Sequence, residues 1–224
     1  MKKTKWLLLG LCVAAVLTAS VMGTLAYLTD EAGAVNTFTV GQVNITLDEE
    51  KVTENGQPTP EEDARVTENS YHLLPGQTYT KDPTVTVVAG SEAAYIRMIV
   101  TISCYDALQT IYEGTFLPQN FVGETWDGEK WQTTNQVTVS QDGKSASYEF
   151  RYYTTVGGYD ENGNAADVTL PALFTQFTVP GEFDNEDMAA ISGMQITVTG
   201  HAIQAAGFDT ADAAWAAFDA QVAG

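Results

Sequence analysis

The sequence predicts an all-β protein, a jelly-roll-like antiparallel β-sandwich with a few short helices. Three observations carry this expectation. Apolar and polar residues alternate in Ala94–Cys104 and Gln195–Gln204, the period of a strand with one buried face. Turn pairs recur along the chain, among them Asn55-Gly56, Pro75-Gly76, Asp127-Gly128, Asp142-Gly143 and Asn162-Gly163. Helical patterning is confined to short stretches and to the C-terminal region. The 224 residues suit one domain, or one domain with an insertion, and suffice for a substantial core.

The N-terminus reads as a secretory signal, residues 1–26. Lys2, Lys3 and Lys5 precede the apolar run Trp6–Val16, and small or polar residues follow. Thr24 and Ala26 place small residues at the −3 and −1 positions of a cut between Ala26 and Tyr27; a cut after Ala19 or Ser20 also fits on size. As a retained anchor the longer run Trp6–Met22 is marginal for a span of about 20 residues, because Gly10, Thr18 and Ser20 interrupt it. Cys12 follows Leu11, where a lipidation signal needs a small residue. Trimming removes three lysines and no acid, so it deepens the formal charge of −19. Such a surface repels nucleic acid and anionic membranes. Cys104 is the one cysteine beyond the leader, so no internal disulfide is expected. It reads as a small buried hydrophobe.

Residues 27–40 form an N-terminal segment ahead of the sandwich domain, 41–224. Within Asn36–Leu47 the alternation changes phase at Gly41-Gln42, as in a strand with a bulge. Residues 48–70 are rich in Glu, Asp, Asn, Thr and Pro and read as an acidic surface loop, with a helical turn at Pro60–Ala64. Leu74-Pro75-Gly76-Gln77 suits a type II turn. A strand is expected over Thr78–Val88. In the next strand Ile96, Met98, Val100, Ile102 and Cys104 form the core face, with Tyr95, Arg97, Ile99, Thr101 and Ser103 opposite. Arg97 is then expected in a rim salt bridge or in solvent. A short helix is expected within Tyr105–Phe116. Val137–Val139 and Ala146–Tyr153 read as a hairpin, Phe174–Val179 as a short strand and Asp184–Ile191 as one or two helical turns. A C-terminal helix, 209–222, is capped by Asp209 or Thr210 and buries Ala211, Trp215, Phe218 and Val222.

Catalytic signals are sparse. The two histidines, His72 and His201, show no H-E-x-x-H spacing, and neither a G-x-S-x-G elbow nor a phosphate loop occurs. Non-enzymatic function and no obligatory cofactor are expected. The loop holding Asp160, Asn162, Asn164 and Asp167 spaces oxygen-bearing side chains in a way that could wrap calcium, although a plain acidic hairpin loop is favoured and the spacing is not that of an EF-hand.

Gly23-Thr24-Leu25-Ala26-Tyr27-Leu28-Thr29-Asp30, then Asn36–Gly41 and Val43–Leu47, resemble the start of TasA/camelysin-family proteins. Leu74-Pro75-Gly76 with Lys81, and Gly200–Ala205 with Trp215, resemble later landmarks of that family. The resemblance implies cleavage by a SipW-type signal peptidase and secretion to the matrix or surface of a Gram-positive bacterium. No stable membrane anchor is then expected to remain after cleavage. It further implies a jelly roll whose N-terminal segment completes a sheet of the next subunit, so that copies join head to tail into biofilm matrix fibres with possible co-secreted partners. In that segment Tyr27, Leu28, Val35 and Phe38 are the apolar groups to be buried on assembly, and a new N-terminus offers unpaired backbone groups to an open sheet edge. Alternatives are a secreted monomeric adhesive or binding module and a camelysin-like metallopeptidase, the latter disfavoured by the missing zinc motif.

Overall fold

The computed structural model describes the backbone of residues 29–32 and residues 42–59 and 64–222 in full. Its strands are β1 (Thr29–Ala32), β2 (Ile45–Glu50), β3 (Arg65–Val66), β4 (Thr78–Thr80), β5 (Thr84–Val87), β6 (Ala94–Ser103), β7 (Trp131–Val139), β8 (Ser145–Tyr152), β9 (Val168–Thr169), β10 (Gln176–Thr178) and β11 (Ile196–Gln204). They form an antiparallel β-sandwich. One sheet has the order β1-β11-β6-β8-β7, the other β3-β2-β5-β9, and β10 pairs with β4 as a third, two-stranded piece.

β6 lies in the middle of the larger sheet, which is why it is the most apolar strand. Ala94, Ile96, Met98, Val100 and Ile102 are buried, as the alternation predicts. Ala146, Tyr148 and Phe150 of β8 extend this face, and Ile45, Val85 and Val87 meet it from the smaller sheet. Each such side chain contributes about 1.5–3 kcal/mol by leaving water. Trp131 is fully buried yet keeps its indole N–H satisfied, donating to the Pro171 carbonyl at 2.8 Å.

The helices are short: α1 (Tyr105–Ile111), α2 (Gln119–Val122), α3 (Asn185–Ala190) and α4 (Ala211–Val222). α3 exists because of its capping box. The Asp184 carboxylate accepts the Glu186 and Asp187 backbone N–H groups, and Asp187 accepts that of Asp184. In α4 the Thr210 hydroxyl accepts the Ala213 N–H at 3.2 Å, so Thr210 is the residue that caps.

Several expectations need correction. Thr78–Val88 is two strands in two sheets, because Lys81-Asp82-Pro83 interrupts the ladder and Pro83 has no N–H to give it. The acidic stretch 48–70 is partly ordered: Asp48–Glu50 complete β2, Arg65–Val66 pair with it, and Val52 bridges Pro58. The proposed turn at 60–64 lies largely outside the described residues. Cys104 leaves the strand in a left-handed conformation (φ 55°), half-buried at the start of α1. Val222 is 62% exposed, whereas Ala214 joins Trp215 and Phe218 on the buried face of α4. The hairpin is longer than its apolar residues suggest, since β7 starts at Trp131 and is mostly exposed.

Burial also raises the phenol pKa of Tyr71, Tyr79, Tyr112, Tyr148 and Tyr152 above the ordinary value. The folded state therefore holds protons that the unfolded chain releases above about pH 10. Stability is complete below that pH and falls as pH rises through the folded values. A spectrophotometric titration is expected to show only part of the tyrosine absorbance change before unfolding, and the remainder with it. A full change preceding the loss of circular dichroism would contradict this.

Candidate assembly site

The ends of the domain meet on one strand. β1 pairs with β11 in the register Thr29↔Ile203, Asp30↔Ala202, Glu31↔His201 and Ala32↔Gly200. Asp30 and Ala32 thus sit at register positions on the core face, opposite two small residues. Thr29 and Glu31 sit on the outer face. β1 is a poor strand by composition, with two adjacent acids and no large apolar residue.

β1 covers only the second half of β11. Beside the first half, between β11 and β2, opens a groove of about 1590 Å³. Leu47, Leu73, Phe177, Ile191, Ile196 and Val198 supply its apolar lining. Leu47 of β2 and Ile196 and Val198 of β11 line it from the core-facing sides of their strands, and Leu73, Phe177 and Ile191 come from neighbouring segments. The groove also holds one buried ion pair. The Lys81 ammonium donates to Glu49 Oε2, and Asn69 Nδ2 donates to Glu49 Oε1 at 3.0 Å. Both charged side chains are less than a tenth exposed, so each is tolerated in the interior by its partner.

On the outer face α4 closes a second, smaller core of Ile203, Ala214, Trp215 and Phe218. Arg97, expected at the rim, is 4% exposed beneath it. Its guanidinium lies 4.4 Å from the Trp215 ring centroid and 4.9 Å from that of Phe218. It donates to His201 Nδ1 at 3.1 Å and to both Asp219 oxygens at 2.5 and 3.3 Å, with Glu149 at 3.6 Å. Sequence reasoning missed this cluster. Its signal was Arg97 on a strongly apolar strand with an amphipathic acidic helix far downstream.

The other predicted residues fall as follows. Ala26, Tyr27, Leu28, Val35 and Phe38 lie outside the described residues, as does the Gly41 bulge. His72 lines the groove, whereas His201 sits on the outer face of its sheet, so the two are not brought together. Asp160 is engaged in holding its own loop. Its carboxylate accepts Asn164 N–H at 2.8 Å and Asn162 N–H at 2.9 Å, and Asn164 Nδ2 reaches it at 3.1 Å. The backbone bond from Asn164, followed by its side-chain amide, holds the Asp160 pKa below the ordinary value. Asp167 instead accepts the Ala89 N–H at 2.8 Å, tying this loop to the β5–β6 turn. No group of three or more His, Cys, Asp or Glu is arranged for a metal among the described residues. No helix among them is long and apolar enough to cross a membrane.

Fold and site together define an antiparallel β-sandwich whose first described strand lies on its last. No family model matches the chain. No curated protein and no solved structure matches it either.

Proposed function

We propose that this protein is a secreted structural subunit that assembles head to tail into extracellular fibres through its N-terminal segment. The observation that supports this best is the pairing of β1 with β11 beside the apolar groove. In a single chain β1 closes the edge of β11. Residues 33–44 separate it from β2, so the same pairing can be made with the β11 of a neighbouring copy. An exchange of this kind repeats one contact in one direction and does not close, which yields a filament. The apolar residues of the segment, Val35 and Phe38 among them, match a groove with an apolar lining. The weak strand character of Thr29–Ala32 keeps the closed form exchangeable.

A second reading, a secreted binding module that stays monomeric, is favoured by the same β1–β11 pairing made within one chain. Light scattering and negative-stain electron microscopy separate the two. The chain starting at Tyr27 is expected to form filaments, and a chain starting at Gly41 to remain dispersed. If both stay monomeric across pH and salt, self-driven assembly is wrong and the monomeric module stands.

A further inference from the structure

The opposite edge of the larger sheet is open among the described residues. β7 is that edge, nine residues long, and Trp131–Val139 contains no charged residue in a chain of net charge −19. Edge strands are ordinarily guarded against pairing by charge, proline, shortness or a bulge. β7 has only the last: its register with β8 shifts between Thr133 and Val137, and Asn135 has φ 58°. That irregularity spoils the first part of the edge and leaves Val137–Val139 regular. Val137 and Val139 are 41% and 46% exposed there.

The hydrogen-bond phase of this stretch follows from its hairpin. Ser140 N–H donates to the Ser145 carbonyl at 2.9 Å, so 140 and 145 are a hydrogen-bonded pair. Antiparallel pairs alternate. Thr138, opposite Ser147, therefore spends its backbone groups on β8, and those of Val137 and Val139 point out of the sheet. Among the described residues these outward groups meet no partner.

From this geometry we infer that Val137–Val139 is a self-recognition edge that pairs antiparallel with the same strand of a second copy, about a twofold axis through Thr138. The occupant is a second copy because the stretch complements itself. With Thr138 opposite Thr138, Val137 falls opposite the other copy's Val139 and Val139 opposite its Val137. Those pairs are the ones whose backbone groups point outward, so each exchanges two hydrogen bonds. The four valines share one face and the two threonines the other, both favourable cross-strand combinations. An uncharged strip is also where two strongly acidic chains approach with least repulsion. The contact lies at the far edge of the sheet from β1 and does not depend on the N-terminal exchange. Where fibres form, it joins them side by side; where they do not, it gives a dimer.

A non-hydrogen-bonded antiparallel pair brings its two Cα atoms to about 4.5 Å, within the range a disulfide spans. Thr138→Cys in the mature chain is therefore expected to form a Cys–Cys dimer under mild oxidation, identified by peptide mapping as 138 joined to 138. The rate should exceed that of Gln132→Cys, an exposed position on the same strand, at least about tenfold through effective concentration. A second measurement is sedimentation across a concentration series. Val137→Glu with Val139→Glu sets like charges opposite one another and is expected to abolish the dimer, or the lateral association of fibres, while circular dichroism is unchanged. Equal oxidation rates at 138 and 132 overturn the inference. So does self-association that survives the double glutamate variant.

Discussion

Replacing Gly158 with alanine is expected to destabilise the domain by about 3–5 kcal/mol, the range reserved for backbone and packing violations that cannot relax. A methyl carbon at this position would stand 2.0 Å from the Val88 carbonyl oxygen, 2.8 Å from Ser91 N and 2.9 Å from Gly90 N. All three obstacles are backbone atoms, so no rotamer change clears them. The same backbone is tied to Gly158 by hydrogen bonds. Gly90 N–H and Ala166 N–H donate to its carbonyl at 2.8 and 3.0 Å, and its own N–H donates to the Ser91 carbonyl at 2.9 Å. Moving the loop away therefore breaks the clamp between the β5–β6 turn and the loop after β8. Chemical denaturation, or failure of the variant to accumulate, measures the effect. Glu161→Ala, on an exposed residue of the same loop, should stay within about 0.5 kcal/mol of the parent. A Gly158→Ala protein with an unchanged midpoint would refute the close approach.

Lys81→Met is expected to cost about 3–5 kcal/mol, because it leaves the Glu49 carboxylate buried without its cation. Asn69 Nδ2 would remain as its side-chain donor, and one neutral amide does not replace a cation in the interior. Glu49→Leu combined with Lys81→Met removes both charges and is expected to recover most of the loss, since a buried pair often nets little against an apolar pair of similar size. The double-mutant cycle isolates the pair from the rest of the groove. Additive effects of the two substitutions would show that the charges do not depend on each other. Because Lys81 and Glu49 both line the groove, the double variant also tests whether groove polarity matters to the proposed fibre assembly without losing the fold.

Local periodicity exposed much of the architecture. The alternation of Ala94–Ser103 and Ile196–Gln204 marked two central strands, and in the first it placed the core face from Ile96 to Ile102, because that strand has one face in the core and the period of side chains along a strand is two. The helical turns expected over Asp184–Ile191 are α3, and Thr210, one of the two expected caps, starts α4, because a cap acts over three residues and is written locally. Long-range partners were not written there. Thr78–Val88 looks like one strand, and only the sheet order reveals that its halves serve different layers. Arg97 looks like a rim residue until α4, more than a hundred positions later, lays Trp215, Phe218 and Asp219 over it.

Thus the sequence alone determined the all-β class, the core face of β6 from Ile96 to Ile102 and the starts of α1, α3 and α4, all of which follow from interactions within a few residues. The tertiary structure decided which strands are neighbours. It set β1 on β11 and the buried Glu49–Lys81 pair beside the groove. It also left Val137 and Val139 pointing their backbone groups outward at the far edge. These depend on pairings between distant segments, whose choice rests on the summed packing of the whole core and not on the pattern of any one stretch.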